Sequence, residues 1–112
     1  MTLKIISKKI LKTGKQFPRI GLINYTNDLS QTARAQKGFQ SSKSYWSVPI
    51  NDIKDKKVII ITISEWNTLT NWNDWYHSKE RSNINQIYKE IINKESFSIL
   101  KKKLENDDLF LL

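Results

Sequence analysis

The sequence contains no cysteine, so it can form neither a disulfide nor a thiolate metal site, and a reducing, cytoplasmic setting is expected. Glycine is scarce too. The three copies, Gly14, Gly21 and Gly38, stand alone, which excludes a glycine-rich phosphate loop, and no Gly-x-Ser-x-Gly nucleophile elbow occurs. With one histidine, His77, any metal site would rest mainly on carboxylates. The pairs Asp52/Asp55 and Asp107/Asp108 fall in polar segments that read as loop surface, so no metal is expected. Long apolar runs are also missing. The longest purely aliphatic stretch is Val58-Ile59-Ile60-Ile61, and MTLKIISKKILKTGK lacks an apolar core of signal-peptide length, so neither membrane insertion nor export is expected.

Arginine is the last shortage. The net charge of +8 rests on 16 Lys and only 3 Arg, beside 16 Ile and 10 Asn, which is the usage of an AT-rich genome. Bidentate contacts to phosphates and bases favour Arg, and no recognition-helix, RNA-recognition or zinc-finger pattern is present. Nucleic acid is therefore not the expected partner, and the lysines read as solvated surface.

What the chain does have is a regular succession of short elements within one domain, residues 1–112. Leu3 to Lys12 mixes β-branched and lysine positions and closes at Thr13-Gly14, which predicts a first strand. Pro18 suits the first turn of a helix whose apolar stripe is Leu22, Tyr25, Leu29 and Ala33, stopping before Gly38. Phe39 to Val48 alternates as a second strand, with Phe39, Ser41, Lys43 and Tyr45 on one face. A polar connection follows from Pro49 to Lys57.

Val58 to Trp66 predicts the strongest strand, apolar on both faces. Asn67 or Thr68 can cap a short helix carrying Leu69, Trp72 and Trp75 or Tyr76, and Ser78 can cap a second helical segment with the stripe Ile84, Ile87, Tyr88 and Ile91. Lys79, Glu80 and Arg81 read as its solvated start. Phe97 and Ile99 mark a last strand before the apolar end Leu109 to Leu112. The order strand, helix, strand, strand, helix, strand is the ferredoxin-like split βαβ arrangement, an α+β fold with its helices on one face of an antiparallel sheet. Because the third strand is apolar on both sides, the uncovered face predicts a homodimer through sheet-to-sheet packing.

The segment ISEWNTLTNWNDWYHSKERSNI, preceded by KKVIIIT and ARAQKGFQSSKSYW, resembles the antibiotic biosynthesis monooxygenase family. In that family an Ala-rich helix end passes through a Gly into the second strand, as Ala33, Ala35, Gly38 and Phe39 do here. The third strand ends in a Trp, matched by Trp66, and a second Trp closes the next helix, matched by Trp75. A Ser-x-Glu-Arg piece follows, matched by Ser78, Glu80 and Arg81. The likeness runs from Leu3 to about Leu104. It implies a dimeric α/β barrel and a range of activities: cofactor-free oxygenation of phenols, anthrones or quinols, haem binding and degradation, or no catalysis at all.

The haem branch of the family uses a ligand His ten residues beyond the second Trp and an Asn in the first strand. Here those positions hold Asn85 and Ser7, so the resemblance does not carry haem over, and no cofactor is expected. Cofactor-free oxygenation needs an apolar pocket, a proton acceptor and donors to an oxyanion. Trp66, Trp72, Trp75, Tyr45 and Trp46 are candidate walls, with Ser7, Asn85 and His77 as polar points. Trp72 also reads as plain core, and Glu65 reads either as a base or as a strand-end residue turned to solvent. The expected function is monooxygenation of a small aromatic substrate. The alternatives are a small-ligand-binding or interaction dimer and, less favoured, a haem protein.

Overall fold

The computed structural model describes residues 2–11, 19–47 and 58–100. The expectations placed on Lys12 to Pro18, on Val48 to Lys57 and on Leu109 to Leu112 lie outside the described residues, as do the two Asp pairs. Seven elements follow in order: β1 (Leu3–Leu11), α1 (Arg19–Arg34), β2 (Phe39–Ser47), β3 (Ile59–Trp66), α2 (Leu69–Tyr76), α3 (Lys79–Ile87) and β4 (Ile92–Leu100). The strands form one antiparallel sheet in the order β2-β3-β1-β4. This is the ferredoxin-like arrangement, with the second helix of the pattern divided in two.

The division has a local cause. Thr68 caps α2 by accepting from the Asn71 amide at 3.1 Å, and Ser78 caps α3 by accepting from the Arg81 amide at 3.2 Å. Two caps ten residues apart start two helices, and His77 closes the first of them. α1 buries Tyr25, Leu29 and Ala33, one turn apart on a single stripe. After its last turn the chain reverses at Gly38, whose φ is +84°. A Cβ there would also strike the Asn71 side chain, so both backbone and space require glycine.

Alternation in the strands defines two sheet faces. Ile5, Ser7 and Lys9 of β1 meet Ile60, Thr62, Ser64 and Trp66 of β3 on the face contacted by all three helices. Lys4, Ile6, Lys8 and Ile10 share the other face with Ile61, Ile63 and Glu65, where Lys4 and Glu65 form an exposed ion pair at 3.7 Å. β2 departs from simple alternation. Phe39 pairs with Trp66 and Ser41 with Glu65, so Gln40 is an extra residue against β3. The bulge puts Phe39 on the helix face with Ser42 and Ser44, not with Ser41, Lys43 and Tyr45 as strict alternation predicts.

α3 also corrects its expected stripe. It ends at Ile87, whose side chain is 72% exposed, and Tyr88 is its C-cap. A helix one turn shorter than the periodicity implies turns Arg81, Ile84, Asn85 and Tyr88 inward instead. Arg81, expected as solvated, is buried: its Nη2 donates to Glu95 Oε1 of β4 at 2.9 Å, and its guanidinium lies 4.4 Å from the Tyr76 ring centre and 5.2 Å from that of Trp75. Desolvating a guanidinium is costly, and here a carboxylate and aromatic faces replace its water. On the opposite side, Tyr25 donates to Asn85 at 3.4 Å and Tyr88 to Asp28 at 2.9 Å, tying α1 to α3.

A cavity between the helices and the sheet

The tryptophans answer to two needs. Trp66 is fully buried at the end of β3, edge-on to Phe39 with ring centres 5.3 Å apart and 5.6 Å from Trp75, and its indole donates to Ser64 Oγ at 3.0 Å. Trp72 stacks on Tyr76 at 5.1 Å and meets Phe97 of β4 at 5.4 Å. These rings hold α2 on the sheet. They also wall a cavity, because Trp66, Trp72, Trp75 and Phe97 all present surface to the same space.

The opposite wall is polar. Ser42 and Ser44 of β2, Thr62 and Ser64 of β3, and Thr26 and Ser30 of α1 bring hydroxyls to it, and Ser44 and Thr62 are bonded across the strands at 2.8 Å. The lining runs from buried Ile5 and Trp66 out to exposed Ser44, so the mouth lies between α1 and β2. The space open to the centres of water molecules is about 40 Å³, room for a few waters. An aromatic ring therefore enters only as side chains at the mouth give way.

On the floor lies Lys9, 3% exposed, a residue that the sequence reading did not single out. Its Nζ bonds Ser7 Oγ at 3.4 Å and lies 5.9 Å from the ring centres of both Tyr25 and Phe97. Burial lowers its pKa from 10.5 to about 8; Glu95 nearby pulls it up and Arg81 pushes it down. Beside it, burial first and Glu95 second raise the Tyr25 phenol well above the ordinary range, so that group stays protonated as a donor. The hydrogen bond to Asp28 raises Tyr88 likewise. The buried indole N–H of Trp75 has no hydrogen-bond partner among the described residues.

Of the residues proposed from sequence, the cavity brings together Ser7, Trp66 and Trp75, together with Trp72. Tyr45 is half exposed on the far face, opposite Ile61. Trp46 is also exposed and is not in the lining. His77 caps α2 at the surface, its Nδ1 3.0 Å from the Asn73 carbonyl, and Asn85 lies behind Tyr25 as its acceptor. Haem iron takes His, Cys, Met or Tyr, and of these the lining supplies only Tyr25, a buried phenol already bonded to Asn85, so these residues do not fit haem. Among the described residues no group of three or more His, Asp or Glu stands close enough to hold a metal ion, and no helix is long and apolar enough to cross a membrane.

No family model and no curated protein matches the sequence. Solved structures do match in fold. SnoaB, a cofactor-independent oxygenase from Streptomyces nogalater, is similar with a TM-score of 0.65 at 7% identity, covering 94% of this chain and 96% of that one. Rv0793 from Mycobacterium tuberculosis gives 0.64 at 14% identity over 95% and 99% of the two chains. A structure described as an antibiotic biosynthesis monooxygenase gives 0.63 at 11% identity over 91% and 99%. The fold is that of the antibiotic biosynthesis monooxygenases, over nearly the whole chain.

Proposed function

We propose, from a fold shared with a cofactor-independent oxygenase, that this protein oxygenates a small electron-rich aromatic, a phenol, quinol or anthrone, without metal or organic cofactor. The observation that carries this reading is the cavity: tryptophan walls against which a flat ring packs once side chains at the mouth give way, facing hydroxyls that orient its oxygens. Such substrates need no external reductant. An anthrone methylene and O₂ give a ketone and water, the substrate supplying all four electrons, and the first step is loss of a proton to an electron-rich carbanion or phenolate. The protein's task is then to bind the ring, promote that ionisation and shield the anion from bulk water.

Oxygen uptake by purified, metal-stripped protein against quinols, anthrones and phenols tests the reading. Turnover is expected with at least one of these classes and is expected to fall at least tenfold in Trp75→Phe, which removes the unpartnered N–H and keeps an aromatic ring. Ligand binding without oxygen uptake throughout the panel would leave a small-ligand-binding protein as the better reading.

The same proposal includes a homodimer. Ile6, Ile10, Ile61, Ile63 and half-exposed Tyr45 lie, beside Lys4, Lys8, Lys43 and Glu65, on the sheet face that no described helix contacts, and a second copy offers its isoleucines the same apolar side chains. Light scattering is expected to give twice the 13.2 kDa chain mass, and Ile61→Asp is expected to halve it. A wild-type monomer at all concentrations would refute the pairing.

A further inference from the structure

Lys9 is a base without an acid. Its ammonium form has three donors, yet among the described residues its hydrogen-bonding partner is Ser7 alone, at a long 3.4 Å. Glu95 stands directly across from it on β4, but that carboxylate is bound to Arg81 at 2.9 Å, and no carboxylate of the described residues lies within ion-pairing distance of Lys9 Nζ. The charged and titratable groups facing the amine are thus Glu95 from β4, Arg81 from α3 and Tyr25 from α1, while β3 faces it with none. A lysine 3% exposed, with aromatic rings on two sides and no carboxylate of the described residues in ion-pairing range, is suited to receive an anion. Independently, the buried indole N–H of Trp75, a residue of the same lining, has no acceptor among the described residues.

We propose that the ligand of this cavity is an aromatic hydroxyl compound that enters neutral, gives its proton to the Lys9 amine and is retained as the oxyanion paired with the Lys9 ammonium. The inference rests on the reading of the cavity as the substrate site and names the substrate's acidic group. The step is a proton transfer, ArOH + H₂N–Lys9 → ArO⁻ + H₃N⁺–Lys9, with no electron moved. Burial fits the amine for it: held near 8, about a tenth of it is unprotonated at pH 7 and about half at pH 8. A phenol at about 10 is the weaker acid in water. Inside the cavity the two product charges attract across a poorly screened gap, and that attraction offsets the mismatch. The Trp75 N–H is the second donor, and the strand hydroxyls bind further substituents on the ring.

The experiment uses the full chain without oxygen, so that it is independent of turnover. The probe is 4-nitrophenol, whose anion absorbs away from the protein, with 4-nitroanisole as the ether that cannot ionise. Bound nitrophenol is expected to ionise 1–3 pH units lower than free, the size an adjacent opposite charge produces. The phenol is expected to bind at least tenfold more tightly than the ether. In Lys9→Met the pH shift should vanish while the ether still binds, which shows that the cavity is intact. Equal binding of phenol and ether, binding of neither, or a shift that survives Lys9→Met overturns the proposal. Oxygen uptake that persists in Lys9→Met also overturns it but leaves the oxygenase reading standing, whereas the shift without oxygen uptake supports it and removes that reading.

Discussion

Trp66→Ala is expected to destabilise the protein by about 3–5 kcal/mol, the range for truncating a large buried aromatic. The side chain has no solvent exposure, it packs on Phe39 and Trp75, and its indole satisfies Ser64. Removing it takes the hub from the aromatic contacts that fix β2 and α2 on β3, and leaves Ser64 without its donor. A domain of this size holds on the order of 10 kcal/mol in total. Urea unfolding should therefore show a much lower midpoint at unchanged slope. A loss below 1 kcal/mol would mean that Trp75 and Phe39 close over the gap, and that the rings wall a cavity more than they hold a core. The expected size also decides which variants can test chemistry: lost activity in Trp66→Ala cannot be told apart from lost fold, whereas Trp75→Phe removes the indole N–H and keeps a smaller aromatic ring in its place.

The fold was legible because its signals are local and agree. β-branched runs mark β1 and β3, Thr68 and Ser78 each cap a helix through the side chain, and Gly38 stands at the one positive φ among the described glycines. The tryptophan cluster likewise led to three of the residues that line the cavity, Trp66, Trp72 and Trp75. The charged residues did not follow. In LKIISKKIL, Lys8 and Lys9 are neighbours, so a strand must turn one of them toward the helices, and composition gives no sign that the inward one has no carboxylate of the described residues in ion-pairing range. The available clue was register, since Lys9 shares the face of Ile5 and Leu11. Arg81 was hidden in the run Lys79-Glu80-Arg81, where only the Ser78 cap, which fixes the phase of α3, shows that it points at β4.

Tyr45 missed the cavity by one position. The strand turns Ser44 toward α1 and Tyr45 away, and the bulge at Gln40 sets that phase from a pairing that exists only in three dimensions. Asn85 and His77 came from a family pattern and from a residue type. Their roles here are local, as the acceptor for Tyr25 and the end of α2.

Lys9→Met is expected to make the protein more stable at pH 7, by about 3 kcal/mol. The pKa falls from 10.5 to about 8, a difference of 2.5, and each unit corresponds to about 1.36 kcal/mol. The folded protein holds this proton less tightly than the unfolded chain does. Between pH 8 and 10.5 the unfolded chain therefore binds more protons, and the Lys9 contribution to stability rises with pH through that window; below pH 8 the whole penalty applies. Methionine removes the charge at similar length, giving up a long bond to Ser7 and two distant ring contacts worth at most about 1 kcal/mol together. The difference between variant and parent isolates the effect, because Tyr25, held protonated in the fold, draws stability from both as pH passes 10. Urea unfolding at pH 7 and pH 10 should show a gap that is wide at the first and nearly closed at the second. A gap that does not change with pH would mean that water reaches the ammonium in the cavity and that its burial imposes no penalty. With the expected pH dependence, the penalty is the reserve that an incoming oxyanion recovers: the charge that weakens the empty protein is the one that the bound anion neutralises.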